Sequence, residues 1–332
     1  MASAAPKVSV IVLTFNQEAT IGRALQSVID QQGVGSMEIL VCDDASNDRT
    51  PDICRRFVGE HPEVARLVVN PVNKGLVRNY FDAVRMARGE YIADVAGDDA
   101  WLGSDRLCLM ADFLDSHPEV PMVHTDWRYY DVASGRESVP AGSNLSGREP
   151  FNDGAKLIVD MINAVGRPVP TVVLSAAMYR RQLLVEAMKE YPYLFDNERN
   201  TCEDLPVIAA MAARGPVAFL PVASMLYSVG GPTISSMEDF GKTARFCLGT
   251  TRQRLDIARA FGVEGKLIAP YMAELTQYLM ANTFYSGDAD LRRRLLDFLK
   301  EYGLKLSAKG RLLKALSTWG PLWRLSNRLI RP

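Results

Sequence analysis

The chain has 332 residues, of which 48% are hydrophobic and 23% are charged, and its formal net charge is −1. This length predicts one large domain with appendages, or two domains, and the composition excludes a chain that is mostly disordered, collagen-like or coiled coil. The nearly neutral charge argues against a protein that coats nucleic acid.

The cysteines and the apolar stretches indicate where the protein works. Its five cysteines are scattered and form no C-x-x-C pair, so we expect reduced thiols rather than disulfides or a zinc site. Residues 1–6 lack the basic and apolar regions of a signal peptide. The most apolar stretch, 205–229, is interrupted at 214–216 and at Pro221, which is too often for a bilayer span. We therefore expect a cytoplasmic protein.

The first 130 residues alternate apolar runs with helical patterns. The apolar runs predict strands at 8–13, 38–42, 66–69, 90–95 and 121–124. The segments between them predict helices at 18–32, from Pro51 to about 59 with Thr50 as the cap, from 76 to about 88, and from Ser104 or Asp105 onward. Strands that alternate with helices over short loops predict an α/β fold with a mostly parallel sheet covered on both faces.

The second half of the chain is richer in helix. Residues 134–153 contain many Gly, Ser, Pro and Asn and predict a loop. Helical patterns follow at 154–165, 182–191 and 204–214, with strand-like runs at 169–179 and 217–227. From residue 239 the pattern is helical almost to the end. We expect a helical C-terminal appendage to the sheet.

Two acidic pairs follow predicted strands. Asp43-Asp44 comes after the second strand and Asp98-Asp99 after the fourth. Ligands gather at this edge of a parallel sheet. Either pair alone could be a turn or a helix cap. Because adjacent carboxylates repel each other unless they are solvated or neutralised, the two pairs together favour a site for a divalent cation that also binds phosphates.

A third acidic pair, Glu203-Asp204, stands at the start of an apolar helical segment. Acidic residues are favoured at a helix N-terminus, so stabilisation of the helix is one interpretation. The other is a general base, which needs a carboxylate near an incoming hydroxyl. The sequence contains no dinucleotide-binding fingerprint, P-loop, zinc-protease motif or serine-hydrolase motif.

Taken together, these segments resemble family 2 of the nucleotide-sugar glycosyltransferases. The matching segments, in chain order, are 8–16, 39–48, 73–75, 88–92 and 97–99, with Glu203-Asp204 where that family has its "ED" motif. The ordered match covers about residues 7 to 230. The resemblance implies the A-type glycosyltransferase fold, a Rossmann-like, mostly parallel sheet flanked by helices.

The resemblance also implies residues that bind the donor. Thr14, Phe15 and Asp44 match positions that contact the nucleoside, and the carboxylate of Asp44 would accept a hydrogen bond from a base N–H. Lys74 or Arg78 would approach the diphosphate. The implied donor is a nucleoside diphosphate sugar, with UDP-sugar preferred and dTDP- or GDP-sugar as alternatives.

The remaining implied roles concern the metal and the base. Asp98 would face the ribose or the metal, Asp99 would bind Mn²⁺ or Mg²⁺, and Asp204 would be the general base. Many relatives have a metal- or diphosphate-binding histidine where this chain has Gly230. A metal here would therefore depend on one aspartate, phosphates and water.

The implied activity is inverting, metal-dependent transfer of a sugar to an acceptor hydroxyl in the synthesis of cell-surface polysaccharide or glycolipid. A nucleotidyltransferase-like enzyme is one alternative, but it would favour a glycine-rich, basic loop where residues 14–18 stand. A non-catalytic nucleotide-binding scaffold is another, and the three intact acidic pairs argue against it. We expect a catalytic domain at 1–235, with a nucleotide-sugar half at about 7–130 and an acceptor half at about 131–235, and a helical region at 236–332.

The C-terminal tail differs in charge from the rest of the chain. Residues 302–332 contain no acidic residue and seven Lys or Arg residues. In a helix after Pro321, Arg324, Arg328 and Arg331 would share one face. The opposite side would carry Trp319, Leu322, Trp323, Leu325, Leu329 and Ile330. This pattern favours attachment to the anionic cytoplasmic face of a membrane near a lipid-linked acceptor, and the alternative is docking on its own domain or in a homodimer.

Overall fold

The computed structural model describes residues 5–139, 150–163, 172–230 and 239–330. The chain forms two compact units. The sheet unit comprises Met1–Met161 and Pro168–Gly231, and the helical unit comprises Ile162–Arg167 and Pro232–Pro332. Parts of the predicted loop at 134–153, of the predicted helix at 154–165, of the predicted strand at 169–179 and of the tail, including Arg331, lie outside the described residues.

The described part of the sheet unit contains one ten-stranded sheet. Its strands are β1 Val8–Thr14, β2 Met37–Asp43, β3 Ala65–Val69, β4 Tyr91–Ala96, β5 Ala100–Trp101, β6 Met122–Asp131, β7 Arg136–Ser138, β8 Phe151–Asn152, β9 Ala177–Arg180 and β10 Val217–Val229. The strand order is β3-β2-β1-β4-β9-β6-β10-β5, with β7 beside β6 and β8 beside β10. Strands β1 to β4 are parallel, β6 and β10 are parallel, and β9 lies antiparallel between β4 and β6. The predicted mostly parallel α/β sheet is confirmed.

Helices cover both faces of this sheet. The helices of this part of the chain are α1 Ile21–Ile29, α2 Thr50–Glu60, α3 Leu76–Met86, α4 Arg106–Ser116, α5 Gly154–Ile162, α6 Arg181–Glu190, α7 Pro192–Phe195 and α8 Asp204–Ala212, of which α1 to α4 contact the strands. Val8, Val10 and Val12 of β1 pack in one buried cluster with side chains of α1, α2 and α4. Because side chains alternate along a strand, Ile11 faces the opposite side, where α3 contacts β1.

Several observed elements differ from the sequence pattern. The strand predicted at 121–124 extends to Asp131 as β6, because its second half pairs with β10 and β7. The strand predicted at 169–179 is replaced at Leu174–Ala176 by a 3₁₀ turn that leads into β9. The predicted loop at 134–153 contains β7 and β8, which are too short and too polar to show an alternating pattern.

The helical unit is organised around one long helix. Its helices are α9 Phe240–Ala260, α10 Gly265–Ser286, α11 Ala289–Glu301, α12 Ala308–Leu316 and α13 Gly320–Ile330. Helix α10 contacts the other four, and its Leu279, Met280 and Phe284 are fully buried. Among the described helices, none combines the length and the apolar character needed to cross a bilayer.

The last helix docks on α10, which corrects part of the prediction for the tail. Trp323, which was expected on the side that meets a membrane, is buried, and its indole Nε1 donates a hydrogen bond to the carbonyl oxygen of Phe284 at 2.8 Å. The amide of Asn327 donates to the carbonyl oxygens of Phe284 and Tyr285, both at 3.1 Å. One face of α13 is therefore a packing face within its own unit.

A buried carboxylate joins the amino-terminal ends of the central strands. Glu38 accepts hydrogen bonds from Ser9 Oγ at 2.7 Å, from the backbone N–H of Arg88 at 2.7 Å and from Arg88 Nε at 2.9 Å. Burial opposes the charged form of Glu38, but these donors outweigh it and hold its pKa below the ordinary value. Gly89 follows directly and donates its backbone N–H to Ser9 Oγ at 2.8 Å. The backbone of residue 89 must therefore approach β1 closely.

We expect Gly89→Ala to destabilise the protein, because the added methyl would lie 2.4 Å from the backbone nitrogen of Ser9. The expected loss is about 1–3 kcal/mol in the free energy of unfolding, measured by urea titration. Gly59→Ala is the matched control, since Gly59 lies in helix α2 with nothing within 4 Å of the added methyl. It should gain about 0.5–1 kcal/mol from helix propensity. Equal effects at the two positions would contradict this account.

Candidate active site

Two loops at the carboxyl ends of β1 and β2 hold each other in place. The side-chain oxygen of Asn16 accepts a hydrogen bond from the backbone N–H of Asn47 at 2.9 Å, and the N–H of Asn16 donates to Ser46 Oγ at 2.8 Å. Asn16 and Ala45 have left-handed backbone conformations, with φ of 52° and 63°. Non-glycine residues rarely adopt this conformation, and such residues cluster at functional sites. The two loops thus form one ordered edge of the sheet.

Thr14 and Phe15, the predicted nucleoside contacts, lie at this edge. Thr14 is buried, and its hydroxyl has no hydrogen-bond partner among the described residues. The ring of Phe15 is 45% exposed at the end of the same strand. A methyl group added to Gly97 would lie 2.9 Å from Thr14 Oγ1 and 2.4 Å from Gln17 Oε1, so only glycine fits beside this hydroxyl. A free polar group and an exposed aromatic ring suit the binding of a planar, polar ligand.

Asp44 is a buried acceptor for the loop that precedes α3. Its Oδ1 accepts from Asn70 Nδ2 and from the backbone N–H of Lys74, both at 2.9 Å, and its Oδ2 accepts from the backbone N–H of Gly75 at 2.8 Å. Each carboxylate oxygen can accept more than one hydrogen bond. Asp44 can therefore hold this loop and still receive a base N–H. The neighbouring Asp43 also has a buried oxygen, Oδ1, without a partner in the described structure.

Lys74 and Arg78, the predicted diphosphate contacts, are each paired with a carboxylate. The ammonium of Lys74 lies 2.9 Å from Asp82 Oδ2, and the guanidinium of Arg78 lies 3.4 Å from Glu198 Oε1. Surface pairs of this kind contribute about 0–1 kcal/mol. Both side chains could therefore leave these partners for a phosphate at small cost in free energy.

The Asp98-Asp99 pair forms a tight turn at the end of β4. The N–H of Asp99 donates to the carbonyl oxygen of Ala96 at 3.0 Å, and its buried carboxylate accepts from the N–H of Ser228 at 2.9 Å. The carbonyl oxygen of Asp98 accepts hydrogen bonds from the Arg23 guanidinium, at 2.8 Å, and from the Ser228 hydroxyl. Burial and the charge of Asp98 raise the pKa of Asp99 to about 7. Sequence reasoning missed Arg23 and Ser228, since neither lies in a recognisable motif.

This turn fits a divalent cation. The charge of Asp98 and burial raise the pKa of Asp99, so a cation would stabilise the ionised pair, and carboxylate oxygens are ligands that Mg²⁺ and Mn²⁺ prefer. Within the described ranges, no three His, Cys, Asp or Glu residues form a metal-binding group. Gly230 has a left-handed φ of 81°, and a methyl group there would lie 3.1 Å from Asp131 Oδ2. A histidine at this position would be strained, so phosphates and water would have to complete the coordination.

Glu203 and Asp204 stand at the start of α8, and both are half-buried. The side chain of Glu203 makes no capping hydrogen bond, and its Oε2 is buried without a partner in the described structure. Burial and the charge of Asp204 raise the pKa of Glu203 well above its ordinary value, and burial raises the pKa of Asp204 to about 6. Only at Glu203 is a neighbouring charge added to burial, so Asp204, with a pKa of about 6, is the member of the pair that ionises near neutral pH. The ionised form is the state a general base needs.

Tyr227 on β10 directly precedes Ser228, whose N–H donates to the Asp99 carboxylate. Burial, with the charges of Asp99, Asp204 and Asp98, raises the pKa of Tyr227 to about 12. Charges shift a pKa strongly only over short distances. The charges of the predicted metal ligands and of the predicted base therefore all act on Tyr227.

A buried aspartate that sequence reasoning missed lies close to this group. Asp94 on β4 accepts hydrogen bonds through Oδ2 from the hydroxyl of Tyr179 at 2.9 Å and from that of Tyr80 at 3.2 Å. Burial outweighs these donors and, with the charge of Asp204, raises the pKa of Asp94 to about 7. The buried guanidinium of Arg106 is the nearby cation. A single Asp inside an apolar strand gives no sequence signal for such a role.

Comparison with known proteins identifies the class of protein. The model of glycosyl transferase family 2 matches residues 9–186. Putative glycosyltransferase EpsE of Bacillus subtilis is 31% identical over 154 residues, which cover 45% of this chain and 55% of EpsE. The chain spans about half the length of the curated relatives it matches, with 47% and 55% of two of them covered.

Solved glycosyltransferases share the fold. TarS 1–349 of S. aureus, in complex with UDP-GlcNAc, aligns with a TM-score of 0.63 at 18% identity, covering 97% of this chain and 89% of that TarS fragment. The mannosyltransferase PcManGT from Pyrobaculum calidifontis, in complex with GDP-Man and Mn²⁺, aligns with a TM-score of 0.52 at 19% identity, covering 99% and 89%. The chain belongs to glycosyl transferase family 2, as the sequence motifs predicted.

We expect Asp94→Asn to change how stability depends on pH. Folding raises the pKa of Asp94 from 3.8 to about 7, so the folded state binds this proton more tightly than the unfolded state. Stability from that proton is complete below the unfolded pKa and is lost as the pH rises to about 7. Relative to wild type, the variant should therefore gain stability between about pH 4 and pH 8, by at most about 4 kcal/mol in the free energy of unfolding. Urea unfolding at both pH values measures this, and a difference that does not vary with pH would contradict it.

Proposed function

We propose that the chain transfers a sugar from a nucleoside diphosphate sugar to an acceptor hydroxyl, with a divalent cation and with inversion at the anomeric carbon. The observation that carries this proposal is the Asp98-Asp99 turn held by Ser228, next to Tyr227, whose pKa is raised by burial and by the charges of Asp99, Asp204 and Asp98. A transferase needs a base for the acceptor and a cation for the leaving group, and this arrangement offers both.

In the proposed reaction, Asp204 accepts the proton of the acceptor hydroxyl while the acceptor oxygen forms a bond to the anomeric carbon. The bond from that carbon to the diphosphate oxygen breaks, and its electron pair leaves with the nucleoside diphosphate. When held by Asp99 and Asp98, a divalent cation would neutralise the charge on this leaving group. Attack from the face opposite the leaving group inverts the configuration.

The edge formed by the first two loops is the proposed nucleoside site. The ring of Phe15 would contact the base, Thr14 would use its free hydroxyl, and Asp44 would accept a base N–H. Lys74 or Arg78 would move to the diphosphate. UDP-GlcNAc in TarS and GDP-Man with Mn²⁺ in PcManGT support a sugar nucleotide as donor, and a UDP-sugar is the first choice, with dTDP- and GDP-sugars as alternatives.

The proposed catalytic part spans 1–235, with the nucleotide-sugar half at about 7–130 and the acceptor half at about 131–235, followed by the helical region at 236–332. The acceptor would be a sugar-bearing, lipid-linked molecule in cell-surface polysaccharide or glycolipid synthesis. Because the tail is cationic, we place the protein peripherally at the cytoplasmic face of a membrane.

We expect Asp99→Ala to remove the metal-dependent part of nucleotide binding. In thermal shift assays with UDP, GDP, dTDP or CMP, Mn²⁺ should increase the stabilisation of the wild type by the nucleotide it prefers, and a ligand at 100 times its Kd adds about 2.7 kcal/mol. In Asp99→Ala the shift with Mn²⁺ should equal the shift without it. Asp52→Ala, which removes an exposed aspartate of α2, is the control and should keep the wild-type response. If Asp99→Ala keeps the Mn²⁺ response and metal-stimulated transfer, the metal assignment is wrong.

We expect Asp204→Asn to lower kcat by about 10²–10⁴-fold, the contribution of a general base, while donor binding stays unchanged. Glu203→Gln is the matched variant, because Gln resembles the protonated form that burial and the charge of Asp204 favour at this position. It should keep activity close to wild type. Steady-state kinetics per folded molecule separate this from a loss of helix stability.

The proposed role of Asp204 as general base also predicts how kcat/KM falls at acidic pH. Because Asp204 must be ionised and its pKa is raised to about 6, kcat/KM should fall about tenfold per pH unit below that value. Nucleotide binding without any turnover would favour the scaffold alternative, and transfer of a nucleotidyl group would favour the nucleotidyltransferase alternative.

A further inference from the structure

The C-terminal helices expose cations that have no acidic partner. Within the described structure, six Lys and Arg residues after residue 302 are exposed and make no ion pair: Lys305, Lys309, Arg311, Lys314, Arg324 and Arg328. The sequence from 302 to the end contains no Asp or Glu that could pair with them. Most other exposed arginines of this unit, such as Arg293 and Arg294, contact a carboxylate. The tail therefore presents uncompensated positive charge.

Helix α13 presents two different stripes to solvent beside its packing face. Trp323 and Asn327 fix one face on α10. On the remaining surface, Leu325 and Leu329 are 57% and 76% exposed, and they are four residues apart and so adjacent on the helix. Arg324 and Arg328 precede them by one residue each and form a parallel stripe. Cationic and apolar side chains therefore lie next to each other on one exposed surface.

The segment before α13 continues this composition. Trp319 is 64% exposed just before the helix begins, and Leu312 of α12 is 58% exposed beside Arg311. Large apolar side chains in water are unfavourable, and a Trp or Leu gains by entering the boundary between headgroups and acyl chains. Arginines that flank them would meet lipid phosphates at the same depth.

We propose that these residues, the C-terminal patch (Leu312, Trp319, Leu325 and Leu329 with Arg311, Lys314, Arg324 and Arg328), bind an anionic lipid surface. Charge complementarity selects this occupant, because a neutral protein surface would leave the cations unpaired and a nucleic acid would leave the leucines in water. The proposal names the membrane contact of the proposed function, but the binding itself requires no transferase activity.

The test uses the full chain and vesicles of phosphatidylcholine with or without 30% phosphatidylglycerol. We expect the protein to sediment with the anionic vesicles at low salt, to be released at high salt, and to ignore the neutral vesicles. Entry of Trp319 into the headgroup region should shift the tryptophan emission to shorter wavelength, and Trp319→Phe should remove most of that shift.

Two double variants separate the two stripes. Arg324→Gln with Arg328→Gln should weaken vesicle binding about 30-fold, since each cation near an anionic surface contributes about fivefold. Leu325→Ser with Leu329→Ser should weaken it at all salt concentrations. The matched control, Arg293→Gln with Arg294→Gln on α11, changes the net charge equally, and it should change binding less than twofold because both arginines already contact Asp290.

Thermal melting shows whether each variant is folded, and the exposed positions should leave the midpoint unchanged. Vesicle binding that is equal for the patch variants and the control, or absent in the wild type, overturns the proposal. Sedimentation velocity tests whether a second copy of this chain occupies the patch instead. A wild-type dimer that the leucine variant converts to a monomer would make the patch a dimer interface. Asp204→Asn should bind vesicles like the wild type, so failure of the catalytic assignment and failure of this proposal remain distinguishable.

Discussion

The common direction of the long strands is the constraint on which the rest of the site depends. Because β1, β2 and β4 are parallel neighbours, the loops after Thr14, Asp43 and Ala96 emerge at one edge of the sheet. Strand β10 runs the same way and brings Tyr227 and Ser228 to that edge, where Ser228 holds Asp99. The carboxyl ends of four strands that are far apart in the sequence thus meet at one edge of the sheet. No short sequence motif specifies these contacts.

The carboxylates at this edge are held mainly by neutral donors. Asp99 receives a backbone N–H, Asp94 receives two tyrosine hydroxyls, and Asp44 receives two backbone N–H groups and an amide. Neutral donors fix the position of a carboxylate but leave its charge in place. Burial raises the pKa values of Asp94 and Asp99, because it outweighs these donors and the opposing charges of Arg106 at Asp94 and of Arg23 at Asp99. A fold of this kind keeps negative potential available for a bound cation.

The same principle separates the roles of Glu203 and Asp204. Two carboxyl groups side by side cannot both ionise easily, so one of them keeps its proton. At Glu203 the charge of Asp204 adds to the effect of burial, whereas burial alone raises the pKa of Asp204, so Asp204 ionises at the lower cost in free energy. In the proposed reaction the pair would therefore supply one base, Asp204, the member to which the sequence resemblance also assigns that role.

The sequence predicted the elements whose cause is local. The β-branched run at 8–13 and the helical spacing around Ile21 and Leu25 appear in the structure with small changes of boundary. The acidic pairs were found because each follows a strand or precedes a helix. Arg23, Ser228 and Asp94 were not found, because each acts through a partner far away in sequence. Tertiary pairing, rather than local pattern, gives these residues their place.

The contacts of the C-terminal helix α13 also could not be predicted from the local sequence pattern. A helical projection divides α13 into a basic side and an apolar side, but the structure gives it three sides, because Trp323 and Asn327 are taken up by α10. This docking has a physical consequence for the exposed leucines. Because Trp323 and Asn327 anchor α13 on α10, the helix cannot rotate about its axis to bury Leu325 and Leu329 against α10. These two side chains therefore stay in solvent. A partner that covers them then binds a surface that is already ordered, and little conformational entropy is lost on binding.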